Sequence, residues 1–220
     1  MTVSIVTPWL DHSELCRMYE KHKSGAEVII IDNGSDLLQA ELIEQMVSRN
    51  TPKVQPVWEY WPRFPEWKYI RNNENRYFAP ANNQGLQVAT GEIVLFLNND
   101  VELRPGFLKQ VEADVKAGGL YGPSMGNRHG HDYIEGWCIA ATHDTWDKLG
   151  GWPDDLPGMY WEDNILCLKA ERLGLMLNKT NWSCWHANAY TTKTMWTEAV
   201  AYSAENEAKF IERIKSSWPL

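Results

Sequence analysis

Three short apolar runs, at residues 3–8, 26–31 and 91–97, each break off at a polar cluster and alternate with segments of helical spacing, which leaves the chain few architectures. The first, Val3-Ser4-Ile5-Val6-Thr7-Pro8, is β-branched and is followed by Asp11-His12-Ser13, a helix start, with Leu15, Met18, Tyr19 and His22 at helical spacing and Gly25 as the stop. The second run is broken only by Glu27 and ends in the turn Asp32-Asn33-Gly34-Ser35. An amphipathic helix follows, with Leu38, Leu42 and Met46 on one face and Ile43 and Val47 beside it, and Thr51-Pro52 closes that unit. A short helix over residues 83–90 precedes the third run, which emerges at Asn98-Asn99-Asp100. Pro105 then opens a helix that Gly118-Gly119 closes, with Phe107, Leu108, Val111 and Val115 inward. Residues 1–120 thus predict an α/β fold, a mostly parallel central sheet flanked by helices. The polar clusters fall at strand carboxyl ends, the edge where open α/β sheets bind ligands.

After Tyr121 the chain becomes loop-rich and aromatic, with helices expected over residues 163–173 and 197–214. At 220 residues and 44% hydrophobic content there is one substantial core and no composition break. A single domain over residues 1–220 is the expectation, residues 1–120 forming one half and 121–220, with the C-terminal helix, the other. The formal charge of -8 excludes a nucleic-acid backbone as main partner, because that task needs clustered Lys and Arg. No run approaches the roughly 18 apolar residues of a membrane span, and residues 1–10 lack a basic start and apolar stretch, so the expectation is a cytoplasmic chain without a transmembrane segment. Cys16, Cys138, Cys167 and Cys184 show no C-x-x-C spacing and read as reduced thiols. The 12 tryptophans suit core packing and sugar faces alike, and core packing is the reading for most.

The chain has no G-x-G-x-x-G after its first strand and no Gly-rich loop ending in Lys-Ser or Lys-Thr. An α/β protein that handles a diphosphate without such a loop needs another positive charge, which a divalent cation held by carboxylates supplies. Asp100 is the candidate ligand, with Asn98 and Asn99 able to bond ribose or phosphates, although Asn-Asn-Asp read alone is equally a turn. Glu162-Asp163 directly precedes an apolar helix, where acids also serve as ordinary partners of the helix dipole. The preceding Gly150-Gly151-Trp152-Pro153-Asp154-Asp155 is a glycine-led aromatic loop able to deliver a carboxylate to an acceptor site.

Four pieces in order resemble the family 2 glycosyltransferases of the GT-A fold: residues 3–8 with Asp32-Asn33-Gly34-Ser35; Asn82-Asn83-Gln84-Gly85; Phe96-Leu97-Asn98-Asn99-Asp100-Val101; and Gly150-Gly151 leading to Glu162-Asp163. The resemblance implies transfer of a sugar from a nucleotide-diphospho-sugar to an acceptor hydroxyl, with inversion and with Mn2+ or Mg2+. By similarity Thr7, Pro8 and Asp32 line the base and ribose pocket, and Asn82 and Gly85 lie close to the nucleotide. Asp100 is the last acid of the metal motif, and His186 in Trp185-His186-Ala187 completes the coordination. Asp163 is the catalytic base, with Glu162 as the alternate. Glu135 and Trp137, with Trp161, face the donor sugar and acceptor. The departure is the metal motif itself, which reads Asn-Asn-Asp where the fuller pattern carries more acids, so Asp100 bears the metal charge nearly alone. His186 also reads as a hydrogen-bonded histidine among aromatics.

Other readings remain at this stage. Residues 57–69, dense in Trp, Tyr and Pro, suit an acceptor platform, an excursion packed on the core, or a patch for self-association or a membrane surface. His129-Gly130-His131-Asp132 has a metal-like spacing but reads as a surface loop. A sugar-phosphate nucleotidyltransferase would carry a Gly-rich basic loop where Trp9-Leu10-Asp11-His12 stands. A non-catalytic sugar- or nucleotide-binding protein on the same fold would need neither Asp100 nor Asp163. The acceptor, whether carbohydrate, lipid-linked or protein, is not specified. The short chain leaves little room for a separate acceptor domain, so a homo-oligomer or partner is a candidate to supply part of that site.

Overall fold

A computed structural model describes residues 1–23, 25–51, 67–187 and 196–216. In chain order the elements begin with β1 (Val3–Trp9), a 3-10 turn at Ser13–Leu15, α1 (Cys16–Tyr19), β2 (Glu27–Asp32), α2 (Leu37–Asn50), β3 (Trp67–Arg71), α3 (Phe78–Val88) and β4 (Ile93–Leu97). They continue with β5 (Val101–Leu103), α4 (Phe107–Asp114), β6 (Gly119–Gly122), β7 (Met125–Arg128), β8 (His131–Ile134) and β9 (Cys138–Thr142). The last are α5 (His143–Leu149), α6 (Glu162–Arg172), β10 (Met176–Lys179), β11 (Cys184–His186) and α7 (Trp196–Lys215).

Seven strands form one sheet in the order β10-β6-β9-β4-β1-β2-β3. All neighbours are parallel except β9, which runs antiparallel to both β4 and β6. The sheet is therefore mixed and mostly parallel, as the alternation predicts. Side chains leave successive strand positions on opposite faces, so Ile5, Ile30 and Leu95 join the layer beneath α2 and α4, whereas Val6, Ile31 and Phe96 join the layer beneath α3, α5 and α6. Both faces are covered, which is why these strands read as continuous apolar runs. Two small antiparallel pairs, β5 with β11 and β7 with β8, sit outside the sheet.

Four sequence expectations shift. The helix expected from Asp11-His12-Ser13 to Gly25 is a 3-10 turn followed by the four residues of α1, and His22 lies beyond it in a left-handed conformation at φ 61°. Helix α2 buries Ala40, Ile43, Met46 and Val47, while Leu38 and Leu42 are exposed. At 100° per residue the face centred on Ile43 leaves Leu38 and Leu42 roughly 100° or more away, so the two leucines fall on the outer side. Helix α3 starts at Phe78 rather than 83, because Pro80 sits in its first turn, where a missing N–H costs nothing. The helix opened by Pro105 runs only Phe107–Asp114, with Gly106 at φ 87° preceding it, although Phe107, Val111 and Val115 are buried as expected. Of residues 57–69, Trp67, Lys68 and Tyr69 belong to the edge strand β3, and residues 57–66 lie outside the described residues. His129 and Gly130, both at positive φ, make the two-residue turn of the β7–β8 hairpin, a surface loop as read. All four cysteines are free. Among the described residues no helix is long and apolar enough to cross a membrane.

Candidate active site

The carboxyl ends of β1, β2 and β4 open into a cavity of about 360 Å³. One wall carries Pro8, Trp9 and Leu10 after β1, Asn33 after β2, and Tyr77 and Phe78 at the start of α3. The floor has Asn98 and Asn99 after β4, and the far wall Glu135, Trp137 and the first turn of α6. Asn33 organises the first wall: its amide donates to Asn75 Oδ1 (2.8 Å) and to the Tyr77 carbonyl (3.1 Å), and its oxygen accepts from the Arg76 amide (3.1 Å) and Asn72 (3.1 Å). Asn72 and Gln84 exchange two further amide bonds at 2.7 and 3.0 Å. Asn33 and Asn72 each donate twice within this net, so the wall is preorganised rather than assembled by a ligand.

Asp100 and His186 meet on the floor. The antiparallel register of β5 and β11 sets His186 opposite Val101, and the Ala187 amide bonds the Asp100 carbonyl at 3.0 Å, which brings the two side chains together. His186 Nε2 lies 3.1 Å from Asp100 Oδ1, yet neither atom is aligned for a hydrogen bond and both are buried. Asn99 Nδ2 beside them is also buried without a partner. Buried polar atoms are nearly always paired, so two such orphans from an oxygen and an imidazole donor fit a pair of ligands to a hard divalent cation. Among the described residues no cluster of three or more His, Cys, Asp or Glu side chains surrounds them, so the remaining positions would fall to phosphate and water. Trp137 stacks on the His186 ring, centroids 4.7 Å apart and 12° between planes, and is itself held by its Nε1 donating to Glu135 (2.7 Å).

At the opposite wall Glu162 and Asp163 begin α6. Tyr160 and Trp161 before them both take φ 74°, a left-handed backbone that L-residues adopt at a cost. Asp163 Oδ2 accepts from the Gly136 amide (3.1 Å) and Oδ1 from the Asn164 amide (2.9 Å). Burial raises its pKa, and those two amides together with the charge of Arg128 oppose the rise. Glu162 has less relief: it is 5% exposed, its Oε1 is unpartnered, and burial, with Asp163 adding to it, pushes its pKa up to about 8. At neutral pH, therefore, Glu162 is mainly protonated, and burial favours the proton on Asp163 as well, against the two amides and Arg128.

Helix α7 closes this wall. Asn206 Nδ2 donates to the carbonyls of Pro157 (3.0 Å), Met159 (3.2 Å) and Tyr160 (3.0 Å), and Trp161 Nε1 donates to Ser203 (3.2 Å). Trp161 also packs on Phe210, ring centroids 5.3 Å apart. Gly158 must be glycine, since at φ 68° an added Cβ would lie 2.0 Å from the Tyr202 ring. On the sheet side Asn83 exchanges two bonds with the Trp152 backbone, at 2.8 and 2.9 Å, and so anchors the Gly150-Gly151 loop.

Of the residues singled out from sequence, Pro8, Asn98, Asn99, Glu135, Trp137, Trp161, Glu162, Asp163 and His186 all line the cavity, and Asp100 stands against His186. Four lie behind the walls instead. The Thr7 hydroxyl is buried against Tyr19 Oη. Asp32 is fully buried, paired with Arg71, accepting from Tyr69 (2.5 Å) and capping the Ser35 amide (2.9 Å). Asn82 is fully buried in α3, its amide unpartnered among the described residues. Gly85 is the contact point of α3 on β1, where a Cβ would lie 2.2 Å from Val6 Cγ1. Their places follow from strand alternation and helix packing, which turn these side chains into the supports of the wall. Sequence reading passed over Asn33, Asn75, Tyr77, Arg128, Tyr133 and Tyr160 as wall residues. Asn33 stood in the quoted turn, but nothing local marks which of its side chains faces inward.

The model of the family described as "Glycosyl transferase family 2" matches residues 14–139, more than half of the chain. No curated protein matches. Among solved structures, a mannosyltransferase from Pyrobaculum calidifontis in complex with GDP-Man and Mn2+ is similar over 96% of this chain and 64% of its own, with a TM-score of 0.71 and 19% identity. TarS 1-349 of S. aureus in complex with UDP is similar over 90% of this chain and 63% of its own, with a TM-score of 0.62 and 15% identity. GalNAc-T7 with UDP, GalNAc and Mn2+ is similar over 84% of this chain and 43% of its own, with a TM-score of 0.65 and 15% identity. The chain thus spans less than two thirds of the length of these structures, which share its fold. With the family model over residues 14–139 and this GT-A arrangement of strands and helices, the chain belongs to glycosyl transferase family 2.

Proposed function

We propose that the chain is the catalytic domain of a divalent-metal-dependent, inverting glycosyltransferase that moves a sugar from a nucleotide-diphospho-sugar to an acceptor hydroxyl. The observation that carries this reading is that one cavity is lined by both a hydrogen-bonded carboxyl group, Asp163, and His186, behind which Asp100 stands with its Oδ1 unpartnered. Solved relatives of the fold hold GDP-Man or UDP together with Mn2+, which supports the donor class and the metal.

In this reading residues 1–120 form the nucleotide half, with the Asn33 wall beside Pro8 and Trp9 receiving base and ribose, and residues 121–220 form the acceptor half. Mn2+ or Mg2+ would be held by Asp100 and His186, where it would supply countercharge to the diphosphate. Asp163 accepts the acceptor hydroxyl proton while the oxygen attacks the anomeric carbon and the bond from that carbon to the diphosphate oxygen breaks. One displacement inverts the configuration. Asp163 takes the role in preference to Glu162 because backbone amides fix both its oxygens, whereas Glu162 Oε1 has no partner among the described residues. The amides of Gly136 and Asn164 aim its oxygens, and Trp137, stacked on His186 by one face, lines the cavity where the sugars would lie.

The test is thermal-shift titration with UDP, GDP, dTDP and CDP, each with and without Mn2+, on the wild type and on Asp100→Ala. One nucleotide that stabilises only with Mn2+, and not in the variant, identifies the base and supports the metal pair. No stabilisation by any nucleotide overturns the donor site.

A further inference from the structure

The cavity wall has a single Lys or Arg among the described residues, Arg128 at the end of β7. Its guanidinium lies 4.6 Å from the centre of the Trp161 ring and 5.7 Å from that of Tyr133, so two aromatic side chains hold it at the rim. It makes no side-chain hydrogen bond or ion pair among the described residues, although Asp163 is close enough to feel its charge. Asp163 spends its oxygens on the amides of Gly136 and Asn164, and Glu135 accepts from Trp137. The five N–H donors of a fixed, planar cation are therefore available to a ligand.

The position of Arg128 says which ligand. A continuous series of contacts runs from Arg128 to Trp161, through the start of α6 to Asp163, across its bond to Gly136, and along Trp137 to His186 and Asp100. Arg128 is close enough to Asp163 to act on its charge, while the metal pair ends the series on the other side of Trp137. In a single displacement the attacking and leaving oxygens stand on opposite sides of the reacting carbon, so a group beside the base meets the acceptor and not the diphosphate.

We propose, resting on the glycosyltransferase reading above, that the acceptor is a sugar bearing an oxyanion, a carboxylate or a phosphate, which the guanidinium of Arg128, itself seated on Trp161, holds beside Asp163. Such a fork–oxyanion contact fixes the orientation of the acceptor ring as well as its affinity, because two parallel N–H bonds define a plane. The neighbouring carboxyls make the selection sharper. A neutral sugar leaves Arg128 unused, while a misplaced anion meets Asp163.

The test uses the folded protein saturated with Mn2+ and the nucleoside diphosphate that binds best, so that the donor site is filled. Methyl β-D-glucuronide, glucose 6-phosphate and neutral methyl β-D-glucoside are titrated by saturation-transfer NMR against the wild type, Arg128→Gln and Arg128→Lys. The expected result is that at least one anionic sugar binds about tenfold more tightly than the glucoside, that Arg128→Gln brings the two within about twofold, and that Arg128→Lys keeps part of the preference. Whichever arm wins distinguishes carboxylate from phosphate. Equal binding of all three, no binding of any, or a preference that survives in Arg128→Gln overturns the proposal. Nucleotide binding is read separately in each protein, so loss of the donor reading and loss of the acceptor proposal are told apart. If no nucleotide binds, the sugar titrations run without it and are judged by the same criteria.

Discussion

Glu162 is a carboxyl group whose native state prefers the proton, and this preference has a measurable cost. Its ordinary value of 4.5 rises to about 8 in the folded protein, burial being the main cause. Between those two pH values the native state holds a proton that the unfolded chain has released, so stability falls as pH rises. The contribution is fully present below 4.5, declines by about 1.4 kcal/mol per pH unit through the window, and levels off above about 8. Over the whole interval the loss is about 5 kcal/mol, on the order of 10–20 °C in Tm for a chain of this size. Glu162→Gln keeps the shape and stays neutral, so it escapes this loss. The assay is urea denaturation of both proteins from pH 5 to 8.5, read as the difference between them. That subtraction removes groups common to both, including the buried Lys23, whose pKa burial pushes down to about 7. The variant should gain on the wild type steadily up to about pH 8. A difference in stability that does not change with pH would refute the assignment of Glu162 as a buried, protonated acid.

Three further outcomes follow from the geometry. Asp163→Asn should lower kcat by about 10²- to 10⁴-fold while leaving the Mn2+-dependent nucleotide thermal shift in place, and a variant that keeps its kcat removes Asp163 from the chemistry. Gly85→Ala drives a methyl group into the buried Val6 side chain, so chemical denaturation should show a loss of about 1–3 kcal/mol with no nucleotide contact altered. Asn206→Leu leaves the Pro157, Met159 and Tyr160 carbonyls without their donor, at a cost of about 1–3 kcal/mol, and kcat should fall more than nucleotide affinity does.

The sheet was legible because both of its faces are covered, which turns β1, β2 and β4 into uninterrupted apolar runs with polar residues at their carboxyl ends. Asn98, Asn99 and Asp100 are consecutive and stand at such an end, so their place on the floor followed from the pattern. The partner of Asp100 did not. His186 arrives through the pairing of β5 with the three-residue β11, a register fixed by tertiary contacts over more than 80 positions. The inward or outward face of a wall residue was equally hidden: Asp32 and Asn33 are adjacent, yet only Asn33 reaches the cavity. Edge strand β3 was missed for a different reason, since its alternation of Trp67, Lys68, Tyr69, Ile70 and Arg71 is buried only in part and sits next to a run of aromatics.

The least legible part of the site is also its most strained, and the two facts have one cause. Two successive aromatic residues, Tyr160 and Trp161, hold a left-handed backbone that costs roughly 1–2 kcal/mol each, so local preference alone would straighten the chain into α6. What opposes this is nonlocal: the Asn206 amide on three carbonyls, Ser203 on the Trp161 indole, and Tyr202 over Gly158, all from α7 some 40 residues later. Without the bend α6 would begin along a different line, and Asp163 would lose the Gly136 amide that aims it. Helix α7 therefore holds the wall that carries Asp163, through Tyr202, Ser203, Asn206 and Phe210. If Asp163 is the base, as proposed, substitutions in that distant helix should tune the site without any change at the carboxyl group itself.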